Sequence, residues 1–201
     1  MKIYALRHGE TDWNAKHLIQ GKTDIPLNDE GRKQAREAAQ KLAPLGINLV
    51  ITSPLTRAVE TTKIIVDYLK IDDSHVKVDA RLSERDFGDF EGKPFSEVDI
   101  AALRRYTDNV PTPNGETIRE TAARVFGFLD ELVAGEAGGA GDVGGGNQAG
   151  GTDTTGEPSI LLVVHGHILR TIYWYFNGIP APGEEESIIT ENCALYEFDT
   201  N

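Results

Sequence analysis

The sequence is poor in several things that other functional classes need. It holds one cysteine, Cys193, in 201 residues, which excludes an internal disulfide and a cysteine-based metal cluster. Cys193 opens the apolar stretch Cys193-Ala194-Leu195-Tyr196 and reads as a small buried residue rather than a reactive thiol. No apolar run approaches the roughly 20 residues that a helix needs to cross a bilayer. No charged-then-apolar segment opens the chain, so a cytoplasmic protein without membrane contact is the expectation. Basic residues are scarce: 20 Lys and Arg stand against 32 Asp and Glu, a formal net charge of -12. That balance argues against nucleic acid or an anionic membrane as partner. It leaves room for a small anion, because a few Arg and His residues that converge can hold one inside an acidic protein. No cluster of His, Cys, Asp or Glu has metal-ligand spacing, and no metal or other cofactor is expected.

A hydrophobic content of 39% and a charged content of 26% fit a globular chain long enough for one sizeable core. We read residues 1–201 as a single domain. Strands are expected at Lys2–Leu6, Ile47–Thr52, Val76–Val78, Ile160–Val164, Ser187–Glu191 and Ala194–Phe198, the last two as a hairpin. Helices are expected between them. Asn28 is placed to cap one, with Ala35, Ala38, Ala39 and Leu42 inward. A second starts at Ser53-Pro54, with Val59, Ile64 (or Thr62), Val66 and Leu69 inward. A third runs from a Ser96/Asp99 capping box to about Tyr106. A fourth spans Thr117–Val133, with Ile118, Ala122, Val125, Phe126, Leu129 and Leu132 (or Val133) inward, and a fifth runs from His165 through Tyr175. Gly88, Gly92 and Pro94 mark residues 80–95 as an ordered loop. Ten glycines between 135 and 156 mark about 134–158 as a flexible surface loop. The alternation predicts a three-layer α/β/α fold around a mostly parallel sheet of about six strands.

Two strands end alike, in Leu6-Arg7-His8-Gly9 and in Val164-His165-Gly166. If both are central and parallel, His8 and His165 emerge side by side at the carboxyl edge of the sheet, where ligands of open α/β sheets bind. A third strand leads into Ser53-Pro54-Leu55-Thr56-Arg57, whose arginine can point back to the same edge. Two Arg and two His around one point make an anion pocket. Gly9 is expected to turn the backbone sharply and let it approach a ligand. Arg85, Arg104 and Arg105 read as a solvated face, and His17 and His75 as surface residues.

These motifs resemble the histidine phosphatase superfamily, the phosphoglycerate mutase-like branch. Matching residues are Leu6-Arg7-His8-Gly9-Glu10-Thr11 with Asn14, Gln20-Gly21, Ser53-Pro54 through Arg57-Ala58 with Thr61, Leu82-Ser83-Glu84-Arg85 with Gly88 and Glu91-Gly92, and Val164-His165-Gly166. They occur in the family's order and cover nearly the whole chain outside the glycine-rich stretch. The resemblance implies that His8 attacks phosphorus and becomes phosphohistidine, with its other ring nitrogen held by a backbone carbonyl. It implies that Arg7, Arg57 and His165 bind the phosphoryl oxygens, and that Asn14, Gln20, Gly21 and the backbone at Gly166 add hydrogen bonds. Glu84 matches the acid that protonates the leaving oxygen and then activates water; Glu10, Asp86, Asp89 and Glu91 are neighbouring carboxylates in sequence.

The family holds phosphatases and cofactor-dependent phosphoglycerate mutases. Mutases resembling this chain carry a Lys where Phe95 stands here, with Lys93 two residues earlier, and a longer insertion after an Arg-Arg segment. Here Leu103-Arg104-Arg105-Tyr106 passes quickly through Pro113-Asn114-Gly115 into the next helix. A metal-independent phosphomonoesterase is therefore the leading expectation. A mutase is the alternative, and a phosphoester-binding protein without turnover is the reading from another class. Phe87, Phe90, Phe95 and Tyr106 are expected to offer an apolar wall to the leaving group. The expected partner is a small phosphorylated substrate or inorganic phosphate. A homodimer is compatible with the sequence but not read from it.

Overall fold

A computed structural model describes residues 1–135, 158–181 and 190–200. In chain order it contains β1 (Lys2–Arg7), α1 (Asp12–Ala15), α2 (Asp29–Leu42), β2 (Leu49–Thr52), α3 (Thr56–Leu69), β3 (Val76–Val78), α4 (Ile100–Arg104), α5 (Ile118–Val133), β4 (Ser159–Val164), α6 (Gly166–Asn177) and β5 (Leu195–Asp199). The strands are ordered β3-β2-β4-β1-β5. All neighbours are parallel except β1 and β5. The described sheet thus has five strands. The strand expected at Ser187–Glu191 falls mostly outside the described residues, as does the glycine-rich stretch expected to be a loop.

Every residue of β4 is buried, as expected of a central parallel strand covered on both faces. Alternate residues of the strands face opposite layers. Ile3, Ala5, Leu162 and Val164 pack against Val125, Phe128 and Leu129 of α5 and Ile168, Leu169 and Ile172 of α6. Tyr4, Leu6, Leu161 and Val163 pack against Ala38, Ala39 and Leu42 of α2 and Ala58, Ile65 and Val66 of α3. Fully burying such a Leu or Val contributes about 1.5–3 kcal/mol. Cys193 is half-buried rather than fully buried as expected, and this burial pushes its thiol up to about 12. No helix among the described residues is long and apolar enough to cross a membrane.

Several local expectations change. Asn28 does cap α2, accepting from Gly31 N at 2.8 Å. Helix α3 begins at Thr56, not at Ser53-Pro54, and its inward face is Ala58, Thr61, Thr62, Ile65 and Val66; Val59 is exposed. Of the expected residues Val66 and Thr62 are buried, and the rest of the phase was hidden because a second threonine, Thr61, occupies the buried face. Thr61 Oγ1 takes the Gly9 N–H at 3.1 Å and donates to Arg57 O at 2.7 Å, and Thr62 Oγ1 donates to Thr52 Oγ1 at 2.9 Å. Asp99 itself caps α4 through Ala102 N at 2.9 Å, replacing the expected Ser96 box. On α5, Phe128 is buried where Phe126 was expected. Gly9 has no left-handed backbone. A Cβ there would collide with the Gly31 carbonyl, and one at Gly31 with the Glu10 backbone. The two glycines let the loop after β1 lie directly on the first turn of α2.

Candidate active site

The sheet register delivers the site. Arg7 lies opposite Val164, and Thr52 opposite Val163. His8 N donates to Val164 O at 2.9 Å, and Ser53 N donates to Val163 O at 3.1 Å. His8, His165 and Ser53 therefore leave three adjacent strands at one edge. The two imidazoles are buried, with ring centroids 5.1 Å apart and planes tilted by 58°.

Their tautomers follow from their partners, since a carbonyl only accepts and a guanidinium only donates. His8 Nδ1 lies 2.6 Å from Gly9 O, so Nδ1 carries the proton and Nε2 keeps its lone pair. Arg57 Nε donates to His165 Nδ1 at 3.2 Å, so the His165 proton sits on Nε2, which donates to Ser53 Oγ at 2.7 Å. Burial, then the nearby Arg57 charge, hold both imidazoles well below the usual histidine range, and Arg7 adds to the effect. Both are neutral at pH 7.

Arg57 enters from the first turn of α3. Beyond His165, its Nη1 donates to Thr23 O at 2.9 Å and its Nη2 to Gly21 O at 2.6 Å. A guanidinium has five N–H groups; three of them have partners among the described residues, which leaves two for a ligand. Burial lowers its pKa to about 10, against the pull of Glu84 and Asp24, and it stays charged. Arg7 ends β1 and donates through Nη1 to Thr190 O. Its Nε is buried without a hydrogen-bond partner among the described residues. Glu84, also buried, accepts from Arg85 N at 2.9 Å and from His167 N at 3.3 Å. A Cβ built on Gly166 would stand 3.7 Å from Arg7 Nε and 3.8 Å from Glu84 Oε2. The guanidinium and the carboxylate thus flank the N-terminus of α6, which has no side-chain cap; such an end attracts anions.

A cavity of about 530 Å³ opens beside this cluster and meets it at Arg7 and Gly166. Asn14 and Gln20 line it. Asn14 Oδ1 accepts from Thr11 N at 3.2 Å and Asn192 Nδ2 at 3.3 Å, which turns its amide donors the other way. Gln20 Oε1 accepts from Thr11 Oγ1 at 2.9 Å. Gly21 contributes its carbonyl to Arg57 rather than a donor to the cavity. Of the four expected aromatics, Phe87 and Phe95 line the cavity. Phe90 packs with Ile19, Phe87 and Leu103 instead, and Tyr106 lies edge-on to Trp174 at 5.8 Å. The arginines expected on a solvated face separate. Arg85 is buried, donating to Glu116 O, Leu103 O and Thr112 Oγ1. Arg104 lines the cavity, and Arg105 pairs with Asp108 at 2.6 Å. His17, though exposed, also lines it.

Sequence reasoning left out Ser53 as a site residue although its motif was noted, and missed Asn192, which donates to His8 O at 3.1 Å. A lone Asn before the last strand carries no pattern. His167 and Arg170, buried on α6, were also missed as cavity residues.

The comparisons agree with one another on the family. A model of the histidine phosphatase superfamily (branch 1) matches residues 3–143. An uncharacterized phosphatase, PhoE, of Bacillus subtilis is 45% identical over 130 residues, 65% of this chain and 63% of that protein; the match therefore spans less than two thirds of that relative's length. A probable phosphoglycerate mutase, GpmB, of Cronobacter sakazakii is 32% identical over 205 residues, 99% of this chain and 85% of that protein. Among solved structures, mycobacterial glucosyl-3-phosphoglycerate phosphatase in complex with VO3 aligns with a TM-score of 0.78 at 26% identity, over 98% of this chain and 91% of that one. On the match of its model to more than half of the residues, the chain belongs to the histidine phosphatase superfamily, branch 1.

Proposed function

We propose that the protein is a metal-independent phosphatase that hydrolyses small phosphorylated metabolites through a phosphohistidine on His8. One observation carries this reading. A neutral imidazole with a bare Nε2 stands beside two guanidiniums that keep N–H groups, Arg7 Nε among them, without a hydrogen-bond partner among the described residues. That is a nucleophile facing a place built for negative charge.

In the first half-reaction His8 Nε2 forms a bond to phosphorus as the ester P–O bond breaks. Arg7, Arg57 and the N-terminus of α6 hold the equatorial oxygens. Glu84, in its acid form, gives its proton to the departing oxygen, which leaves as an alcohol. In the second, Glu84 as carboxylate takes a proton from water, the water oxygen bonds to phosphorus, the N–P bond breaks, and phosphate leaves. His165 spends both ring nitrogens on Arg57 and Ser53, so here it anchors Arg57. It touches a phosphoryl oxygen itself only if Nδ1 takes up a proton and Arg57 Nε turns to the anion.

The test is phosphate release from p-nitrophenyl phosphate and a panel of sugar phosphates, phosphoglycerates and phosphoserine, with a chelator present. Acid-labile radioactive phosphate trapped on the protein, and lost in His8→Ala, is the expected result. Bisphosphoglycerate-dependent interconversion of 3- and 2-phosphoglycerate without phosphate release would make the protein a mutase. Binding without labelling or turnover would make it a phosphoester-binding protein.

A further inference from the structure

We propose that Glu91 is a positioning residue of the phosphoryl site, acting on Arg57 through a single peptide group. Arg57 Nη2 donates to the carbonyl of Gly21 at 2.6 Å. The N–H of that same peptide, on Lys22, donates to Glu91 Oε1 at 2.8 Å. A cation and an anion thus hold opposite ends of one peptide dipole, each in its favourable sense, and each bond polarises the other. A second link runs in parallel. Arg57 Nη1 donates to Thr23 O at 2.9 Å, while the Thr23 N–H donates to Glu91 Oε2 at 2.8 Å and the Thr23 hydroxyl donates to the same oxygen.

Nothing about Glu91 fits a merely solvated carboxylate. Its oxygens take four donors, the fourth being Phe87 N at 3.1 Å. The turn it grips is shaped for it: Gly21 has φ +57, and a Cβ there would collide with the Glu91 carboxylate. The far end of the turn is tied as well, since Asp24 accepts from Thr56 N at 2.7 Å and Thr56 Oγ1 at 2.6 Å, at the first turn of α3. The other carboxylates of this region are turned elsewhere: Glu10 to Asn28, Asp86 to Gly88 N and Lys22 Nζ, and Asp89 to Asn114. Glu91 therefore fixes two carbonyls, the carbonyls fix the guanidinium fork, and the fork sets where its two free N–H groups and its Nε point.

This inference rests on the reading of Arg57 as a phosphoryl-binding residue, and a double-mutant cycle separates the two. Glu91→Gln, Arg57→Ala and the double variant are compared by kcat/KM on p-nitrophenyl phosphate, by the inhibition constant of inorganic phosphate, and by thermal melting. In the Arg57 background Glu91→Gln is expected to lower kcat/KM by about 10- to 100-fold and to raise the inhibition constant. In the Arg57→Ala background it is expected to add no further loss. Thr23→Val, which removes one of the four donors and keeps the shape, is expected to shift both constants in the same direction by less, and serves if Glu91→Gln does not fold. A lower melting temperature with unchanged constants, or the same loss in both backgrounds, overturns the inference alone. Unchanged constants in Arg57→Ala overturn the reading of the phosphoryl site, and this inference with it.

Discussion

The proposed phosphoryl pocket and the cavity beside it are built on opposite plans. Around His8, His165 and Arg57, ring and guanidinium nitrogens are tied to carbonyls, to Ser53 and to each other. The two imidazoles come from strand ends whose register the sheet ladder sets, and Arg57 from the first turn of the helix that follows β2. The cavity is lined instead by Leu18, Phe87, Phe95 and Ile100 among polar side chains, and Phe95 is 40% exposed. A tetrahedral anion of fixed shape suits the first plan, because rigid donors need no reorganisation during reaction. The second places few geometric demands on what leaves with the oxygen.

The comparison breaks first at His8. His8→Ala is expected to reduce kcat/KM by more than about 10³-fold for every substrate in a panel, measured as phosphate release, since no other group replaces a nucleophile. Similar losses that differ strongly from one substrate to the next would assign His8 to leaving-group contact. Glu84→Gln ranks next and should divide substrates by leaving group. A loss of about 10²–10⁴-fold is expected for alkyl phosphates, whose alkoxide needs a proton. p-Nitrophenyl phosphate should lose much less in the first half-reaction, read as the burst of nitrophenolate.

A smaller effect comes from pH. Burial and the surrounding arginines hold His8, His165 and His167 well below the ordinary value in the fold, whereas in the unfolded chain they bind protons near pH 6.5. Below that pH the unfolded state holds more protons than the folded one, so stability falls as pH drops and is complete above about 6.5. Melting temperatures between pH 5 and 8 should rise with pH and level off, and replacing His167 with Gln should flatten the slope by about one proton. The smallest effect belongs to the cavity. Phe95→Ala is expected to change kcat/KM by less than about 10-fold, in a direction that depends on the leaving group, because a half-exposed apolar wall falls short of the roughly 1–3 kcal/mol of discrimination that an enclosed hydrophobic pocket supplies. A uniform loss of His8 size would show that the two regions are one.

The legible part of the fold was whatever repeats at a fixed period. Ile160 to Val164 announced a central strand, and Asn28 with the alanines of α2 announced a capped helix against the sheet. The phase of α3 was legible only in part: Thr62 and Val66 are buried as expected, whereas Thr61, buried by hydrogen bonding rather than by apolarity, and Ile65 stand where no apolar pattern pointed. Gly9 was read as a turn when its missing side chain serves contact with Gly31, a residue that no local pattern connects to it. The same holds for the site: Arg7, His8, Arg57 and His165 stood out as motifs, whereas Asn192 and the bridge through Glu91 did not.

By itself the sequence determined which chemistry the chain can carry. Two imidazoles and two guanidiniums at strand and helix ends, in an acidic chain with one cysteine, leave phosphate as the ligand they suit. Only the tertiary structure decided which nitrogen of each ring bears the proton, which two N–H groups of Arg57 have no partner among the described residues, and which carboxylate stands behind it. The physical reason is that hydrogen bonds act over about 3 Å and are directional, and the partners that set them lie up to 112 positions apart along the chain.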